Sequence, residues 1–206
     1  KDKINEIHQT NLLEKFLKSV GLINSVNSSP FKLVGTKRVS NRIGIVAGSS
    51  NNPQKCWAVD KWCALIGELS LQIPNSEFIL FGTASDCQIS RAVANGCGVP
   101  LLDVTGKTNI RELGQELAAC HLVVGNDTGG MHLANAVGTP VAVLFGPTNF
   151  LVTGPFFAGS KLFLQPEGCP REGGSSIQLL DSNDVVTRLM DFLKGDFIRE
   201  GEKNVD

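Results

Sequence analysis

The chain has no tyrosine beside eleven phenylalanines, and it has no surplus of either charge: 19 basic and 20 acidic side chains leave a formal net charge of -1. Without a basic excess it has no electrostatic footprint for wrapping nucleic acid, so that class of partner is not expected. No apolar run approaches the ~20 residues that a bilayer-crossing helix needs. The opening stretch KDKINEIHQTNLLEKF lacks the apolar centre of a secretory signal. The six cysteines (Cys56, Cys63, Cys87, Cys97, Cys120 and Cys169) contain no CxxC pair. That spacing argues for free, mostly buried thiols in a reducing compartment. No set of His, Cys, Asp and Glu has metal-ligand spacing, so no metal and no cofactor are expected. A Walker A loop, a GxGxxG fingerprint and a nucleophile elbow are all missing, which removes the commonest phosphate-loop and acyl-transfer signatures.

What is present is the composition of a globular α/β domain, expected to be soluble: 42% apolar and 19% charged over 206 residues. Residues 1 to about 20 carry Ile4, Ile7, Leu12, Leu13, Phe16 and Leu17 near one face of a helix that should stop at Gly21. A helical pattern running from the first residue suggests a chain that continues something larger. Residues 22–41 read as linker, with a short extended piece at Phe31–Val34.

From residue 42 apolar runs alternate with amphipathic stretches. Strands are predicted at Arg42–Ala47, Glu77–Phe81, Val99–Leu102, Leu122–Val124, Val141–Phe145 and Lys161–Leu164. Helices are predicted at Val59–Leu71, Ser85–Asn95, Ile110–Ala119 (capped by Thr108), Met131–Val137 and Asp184–Leu193, with a mostly irregular, Phe-rich 150–176 stretch. The alternation predicts βαβ units in a doubly wound parallel sheet. Division is expected into 1–41 (helix and linker), 42–194 (the Rossmann-like domain) and 195–206 (a charged, fraying tail).

Doubly wound sheets bind ligands beyond the carboxyl ends of their strands, and four loops there carry suitable residues. Asn126-Asp127-Thr128-Gly129-Gly130-Met131-His132 places a tight turn, a carboxylate, a hydroxyl and an imidazole at a helix start, where free N–H groups suit a phosphate. The same residues serve equally as a helix cap with permissive glycines. Gly48 to Lys55 supplies Ser49, Ser50 and a cation, or is simply a solvated loop. Asp86 could meet a sugar hydroxyl or merely start the next helix, and the Lys107–Thr108 backbone could touch a base. Together the four loops point to ligand binding.

The run GNDTGGMHLANAVGTPVAVLFGPTN resembles the lipopolysaccharide heptosyltransferases, inverting two-domain enzymes of the GT-B fold. CWAVDKWCALIGEL and ILFGTASD are similar to segments of their C-terminal, donor-binding domain, and HQTNLLEKFLKSVG to the helix leading out of the N-terminal domain. The resemblance is closest to the heptosyltransferases that act second on the core. It implies a donor site for ADP-L-glycero-D-manno-heptose: Ser49 and Ser50 near the phosphates, Lys55 countering the diphosphate, Asp86 near the ribose and the 107–108 backbone near the adenine. It further implies that Asp127 binds the heptose, that Thr128 and Gly129 hold the diphosphate, and that His132 lies nearby. Lys55 and Asp127 would support catalysis, with the general base on the N-terminal domain, so this chain alone would be inactive. The implied acceptor is the lipid A-core oligosaccharide, met in the cytoplasm at the inner face of the bacterial inner membrane. A non-catalytic nucleotide-binding module, or a GT-B transferase with another nucleotide sugar, is the alternative.

Overall fold

The computed structural model describes residues 7–49 and 52–202, with only the backbone of 196–202. Six strands form one sheet: β1 (Val39–Val46), β2 (Glu77–Leu80), β3 (Leu101–Asp103), β4 (Cys120–Asn126), β5 (Val141–Leu144) and β6 (Lys161–Leu164). Their order is β3-β2-β1-β4-β5-β6 and every pairing is parallel. The helices are α1 (Gln9–Ser19), α2 (Val59–Gln72), α3 (Cys87–Gly96), α4 (Ile110–Ala119), α5 (Gly129–Ala136), α6 (Phe150–Thr153) and α7 (Ser182–Glu202). The expected doubly wound sheet is therefore the one observed.

Alternate strand residues feed two cores, as a sheet covered on both faces requires. Ile43, Ile45, Leu80, Leu122, Val124 and Leu144 pack with Trp62, Leu65 and Leu69 of α2 and with Val185 and Leu189 of α7. On the other face Val46, Phe81, Val123, Val143 and Phe145 meet Leu117 of α4 and Met131 and Ala134 of α5. Gly44 faces this second layer, where a Cβ would come within 2.9 Å of the Phe81 ring.

The boundaries differ from the sequence reading where polar or restricted residues mask the pattern. β1 starts earlier, at Val39, which pairs with Cys120 across a register irregularity; the polar Ser40-Asn41-Arg42 hides this end. β3 starts two residues late, beyond Pro100, which has no N–H for a ladder. Phe31–Val34 is not a strand; Phe31 instead donates its N–H to Ala136 O. The cap of α4 is Asn109, not Thr108: its side chain accepts from the N–H groups of Arg111 and Glu112, and Glu112 completes a capping box. α7 is longer than expected, begun by Asp181, whose carboxylate accepts from Asn183 and Asp184, and its backbone stays helical past Lys194. Of the predicted first helix, Ile4 lies outside the described residues, and none of the residues of α1 is fully buried.

The phenylalanines of the irregular stretch have a packing role. Phe145, Phe150 and Phe163 form a ring cluster, while Phe156 lies 5.4 Å from the His8 ring and Phe157 5.5 Å from Phe31. With Ala158 N–H bonded to Ser28 O and His8 Nε2 to Gly154 O, they tie the 7–31 segment to the sheet domain.

Candidate functional site

The strand order reverses between β1 and β4, and their following loops leave the sheet in opposite senses, which opens a crevice at this point. Asn126, the last residue of β4 and fully buried, holds the crevice walls in register. Its Nδ2 donates to Ala47 O at 2.7 Å and to Gly48 O at 3.3 Å, and its Oδ1 accepts from the Trp57 N–H at 3.4 Å. The loop after β1 is thereby pinned at both ends. Trp57 anchors it further, buried edge-on against Trp62 with its indole N–H bonded to Leu180 O.

Pinning the loop brings Lys55 across to Asp127. Lys55 Nζ lies 2.7 Å from Asp127 Oδ2, and Thr148 Oγ1 donates to the same oxygen at 2.8 Å. Asp127 is 6% exposed, so this carboxylate is held by two donors in a largely water-free position. The next residue, Thr128, is extended and begins α5 without capping it through its side chain; its hydroxyl is buried with no hydrogen-bond partner among the described residues. The first N–H groups of α5, at Gly129 and Gly130, are thus not claimed by a side-chain cap and carry the helix's partial positive charge.

Two cavities meet at Thr128 and Gly129. One, of about 290 Å³, is apolar and lies above the second core layer, among Val46, Phe81, Ile110, Leu113 and Leu133, with Gly82 and Thr83 at its edge. The other, of about 320 Å³, is polar and contains Lys55, Asp127, His132, His8, Thr10 and Thr153. His132, one turn into α5, is half-buried. Burial holds its imidazolium below the ordinary histidine range, against the pull of Asp127 and with smaller repulsion from His8 and Lys55. The pair of cavities has the volume and polarity for a ligand with one apolar end and one polar end, joined over the start of α5, where an anionic group is favoured.

Of the residues singled out from sequence, Lys55, Asp127, Thr128, Gly129 and His132 come together here. Asp86 is on the wall of the apolar cavity, but its Oδ2 accepts from the Thr83 N–H at 2.8 Å and hydroxyl at 2.7 Å, closing the turn before α3. It also packs on Gly48, where any Cβ would come within 2.2 Å of Asp86 Oδ1. Ser49 is buried with its hydroxyl donating to Asn52 O, and faces a separate 440 Å³ cavity beside Cys56. Ser50 lies outside the described residues. Lys107 and Thr108 are not among the lining residues; Lys107 is exposed and its Nζ bonds to Asp103 O, and Ile110 and Leu113 occupy the wall instead.

Sequence reasoning missed Asn126 as a separate player, Thr148, His8 and Ile110. The Gly-Pro-Thr after β5 was a usable signal for Thr148, since it ends a strand at the same sheet edge. His8 and Ile110 reach the site only through tertiary packing. Of the cysteines, only Cys120 is fully buried and the other five are partly exposed, all six as thiols; the expectation of mostly buried thiols does not hold. Among the described residues no cluster of three or more His, Cys, Asp or Glu could hold a metal ion.

The sequence profile of glycosyltransferase family 9 (heptosyltransferase) matches residues 25–175. A lipooligosaccharide heptosyltransferase 2 from Haemophilus influenzae is 31% identical over 150 residues, covering 68% of this chain and 43% of that protein. A lipopolysaccharide heptosyltransferase 3 from Escherichia coli K12 is 33% identical over 103 residues, covering 50% of this chain and 30% of that protein. The matched stretches thus span less than half the length of these curated relatives. Among solved structures, a glycosyl transferase family 9 protein from Veillonella parvula superposes with a TM-score of 0.77 at 18% identity, over 92% of this chain and 61% of that one. The E. coli ADP-heptose LPS heptosyltransferase II gives 0.65 at 22% identity, over 89% and 51%. Those two likenesses show a shared fold. With the profile extending across most of the sheet domain and both crevice loops, the chain belongs to glycosyltransferase family 9, the heptosyltransferase family.

Proposed function

We propose that this chain is the donor-binding part of an inverting heptosyltransferase that transfers heptose from ADP-L-glycero-D-manno-heptose to the lipopolysaccharide inner core. The observation that carries the reading is the junction of an apolar and a polar cavity at Thr128–Gly129, with Lys55 and Asp127 paired beside it. The adenosine fits the apolar cavity between Ile110, Leu113 and Leu133. The diphosphate lies over the α5 N-terminus, within reach of Lys55, and the heptose enters the polar cavity beside Asp127 and His132. Family membership and the names of the curated relatives support the donor sugar.

In the transfer step the acceptor hydroxyl attacks the anomeric carbon, the bond to the diphosphate oxygen breaks, and configuration inverts. A carboxylate outside this chain's donor site takes the hydroxyl proton. ADP leaves as an anion whose growing charge is met by Lys55 and the first N–H groups of α5. On this reading the diphosphate is neutralised by protein groups, and donor binding survives chelator treatment unchanged. The acceptor is the lipid A-core oligosaccharide, which places the whole protein in the cytoplasm at the inner membrane surface. Among the described residues no helix is long and apolar enough to cross a membrane.

Calorimetric titration of the chain with ADP, UDP and GDP, with and without EDTA, tests the donor reading. ADP binding at least tenfold tighter than UDP and GDP, with no EDTA effect, is the expected result. Preference for UDP or GDP would move the assignment to another nucleotide sugar. A whole protein that binds ADP-heptose but releases no ADP with core acceptor present would leave only a binding module.

A further inference from the structure

Cys63 sits in the second turn of α2, and Cys97 caps the C-terminal end of α3. Their sulfurs are 3.0 Å apart, within about 1 Å of the ~2.05 Å of a disulfide. Both residues are partly exposed, so a small oxidant has access. Of the other cysteines, Cys87 meets Thr105 O, Cys120 meets Glu116 O, Cys169 meets Gly146 O and Cys56 bonds to the Ser49 side chain. α2 is fixed by buried Trp62, Leu65, Ile66 and Leu69, so closure must come from the Cys97 side. That side can yield: Cys97 ends its helix, and Gly98 follows at φ +64° with open space around its α-carbon. Gly96 leaves room for the Cys63 sulfur, which a Cβ there would approach to 3.2 Å.

We propose that Cys63 and Cys97 form a redox-active pair that closes to a disulfide by exchange with a small-molecule disulfide of the glutathione type, fastening α2 to the end of α3. The Cys63 thiolate attacks one sulfur of the small disulfide, forming a mixed disulfide and releasing one thiolate. Cys97 then loses its proton to solvent and attacks the Cys63 sulfur, releasing the second thiolate. The protein gives up two electrons and two protons, and the small disulfide becomes two thiols. Burial, together with Cys63 itself, pushes the Cys97 thiol up to about 12, which makes Cys97 the poorer first nucleophile; the part of that rise due to Cys63 is relieved once Cys63 is in the mixed disulfide. Neither residue lines the donor cavities, so the cross-link changes stability and not the donor site.

The test equilibrates the reduced chain in glutathione buffers of rising oxidised fraction, quenches in acid, alkylates the remaining thiols and maps the peptides. The expected result is that two of the six thiols disappear together, that the Cys63 and Cys97 peptides are joined, and that the thermal midpoint rises by about 5 °C. Reductant reverses the change, ADP binding stays the same, and Cys63→Ser and Cys97→Ser each abolish the midpoint shift. Six alkylatable thiols in fully oxidised buffer, a persistent glutathione adduct on one cysteine, or a cross-link between another pair would each overturn the proposal. Peptide mapping on the unsubstituted chain decides even if a serine variant fails to fold.

Discussion

Asp127 keeps one carboxylate oxygen against both Lys55 and Thr148 in a position that water barely reaches. Replacing Lys55 with methionine leaves that carboxylate with the hydroxyl alone and, on the proposed donor reading, removes a cation from the diphosphate. ADP affinity should fall about ten- to a hundredfold, the worth of one or two charge-assisted hydrogen bonds, while adenosine affinity stays put. Calorimetry with the two ligands separates these effects. Asn126 is read differently: Asn126→Ala removes the side-chain partner of three buried backbone groups, Ala47 O, Gly48 O and the Trp57 N–H. It should cost about 2–4 kcal/mol in urea unfolding. His132 carries a pH signature, because burial lowers its pKa. Between that lowered value and ~6.5 the unfolded chain binds a proton that the folded chain does not. Stability therefore falls as pH drops below about 6.5 and levels off beneath the folded-state value; His132→Gln should flatten that slope in urea midpoints compared at about pH 7.5 and about pH 5.5. At this scale no single loop was decisive, since Gly-Gly after a strand with an acid at its end serves equally as a helix cap; the site residues were readable because several such loops share one sheet edge and because the 125–149 run resembles a known family. His8 was not, since it is held by Gly154, 146 positions away; Thr148 could have been found from the strand end it closes at the same sheet edge.

The crevice depends on where two helices begin. α5 starts with two glycines and an uncapped first turn, which keeps its N–H groups for a ligand. α4 is the opposite case: Asn109 and Glu112 satisfy each other's backbone, fixing the start of the helix that carries Ile110 and Leu113 to the apolar cavity. Asn109→Ala should destabilise the chain by about 1 kcal/mol and loosen ADP binding, whereas Thr108→Ala should do neither. Thermal melts with and without ADP check both. The misplaced cap shows what single-sequence reading cannot resolve: Thr108 and Asn109 are both good capping residues, and only the dihedral angles decide between them. β1 was shortened for a related reason, since its first turns of sequence are polar and its pairing with Cys120 is long-range. Lys161–Leu164 was legible to the residue, whereas the apolar runs of β4 and β5 were legible as strands with ends one or two residues off.

In the molecule as a whole, parallel pairing in the order β3-β2-β1-β4-β5-β6 places the reversal point between the loops that follow β1 and β4, the two that carry Lys55 and Asp127. Alternation of apolar runs with helical patterns made the doubly wound sheet readable. The strand order was not, because nothing local says that β4 returns to lie beside β1. Once it does, Lys55 and Asp127 are neighbours although 72 positions apart, and Asn126 bonds to Ala47, 79 positions away. The central claim is that one diphosphate bridges the loop after β1 and the start of α5. Amide hydrogen exchange, with and without saturating ADP, measures this on both loops at once. Slowed exchange at Gly129 and Gly130 together with residues 54–57 is the predicted result. Protection of only one of these segments, or of neither while ADP is bound, would contradict the account.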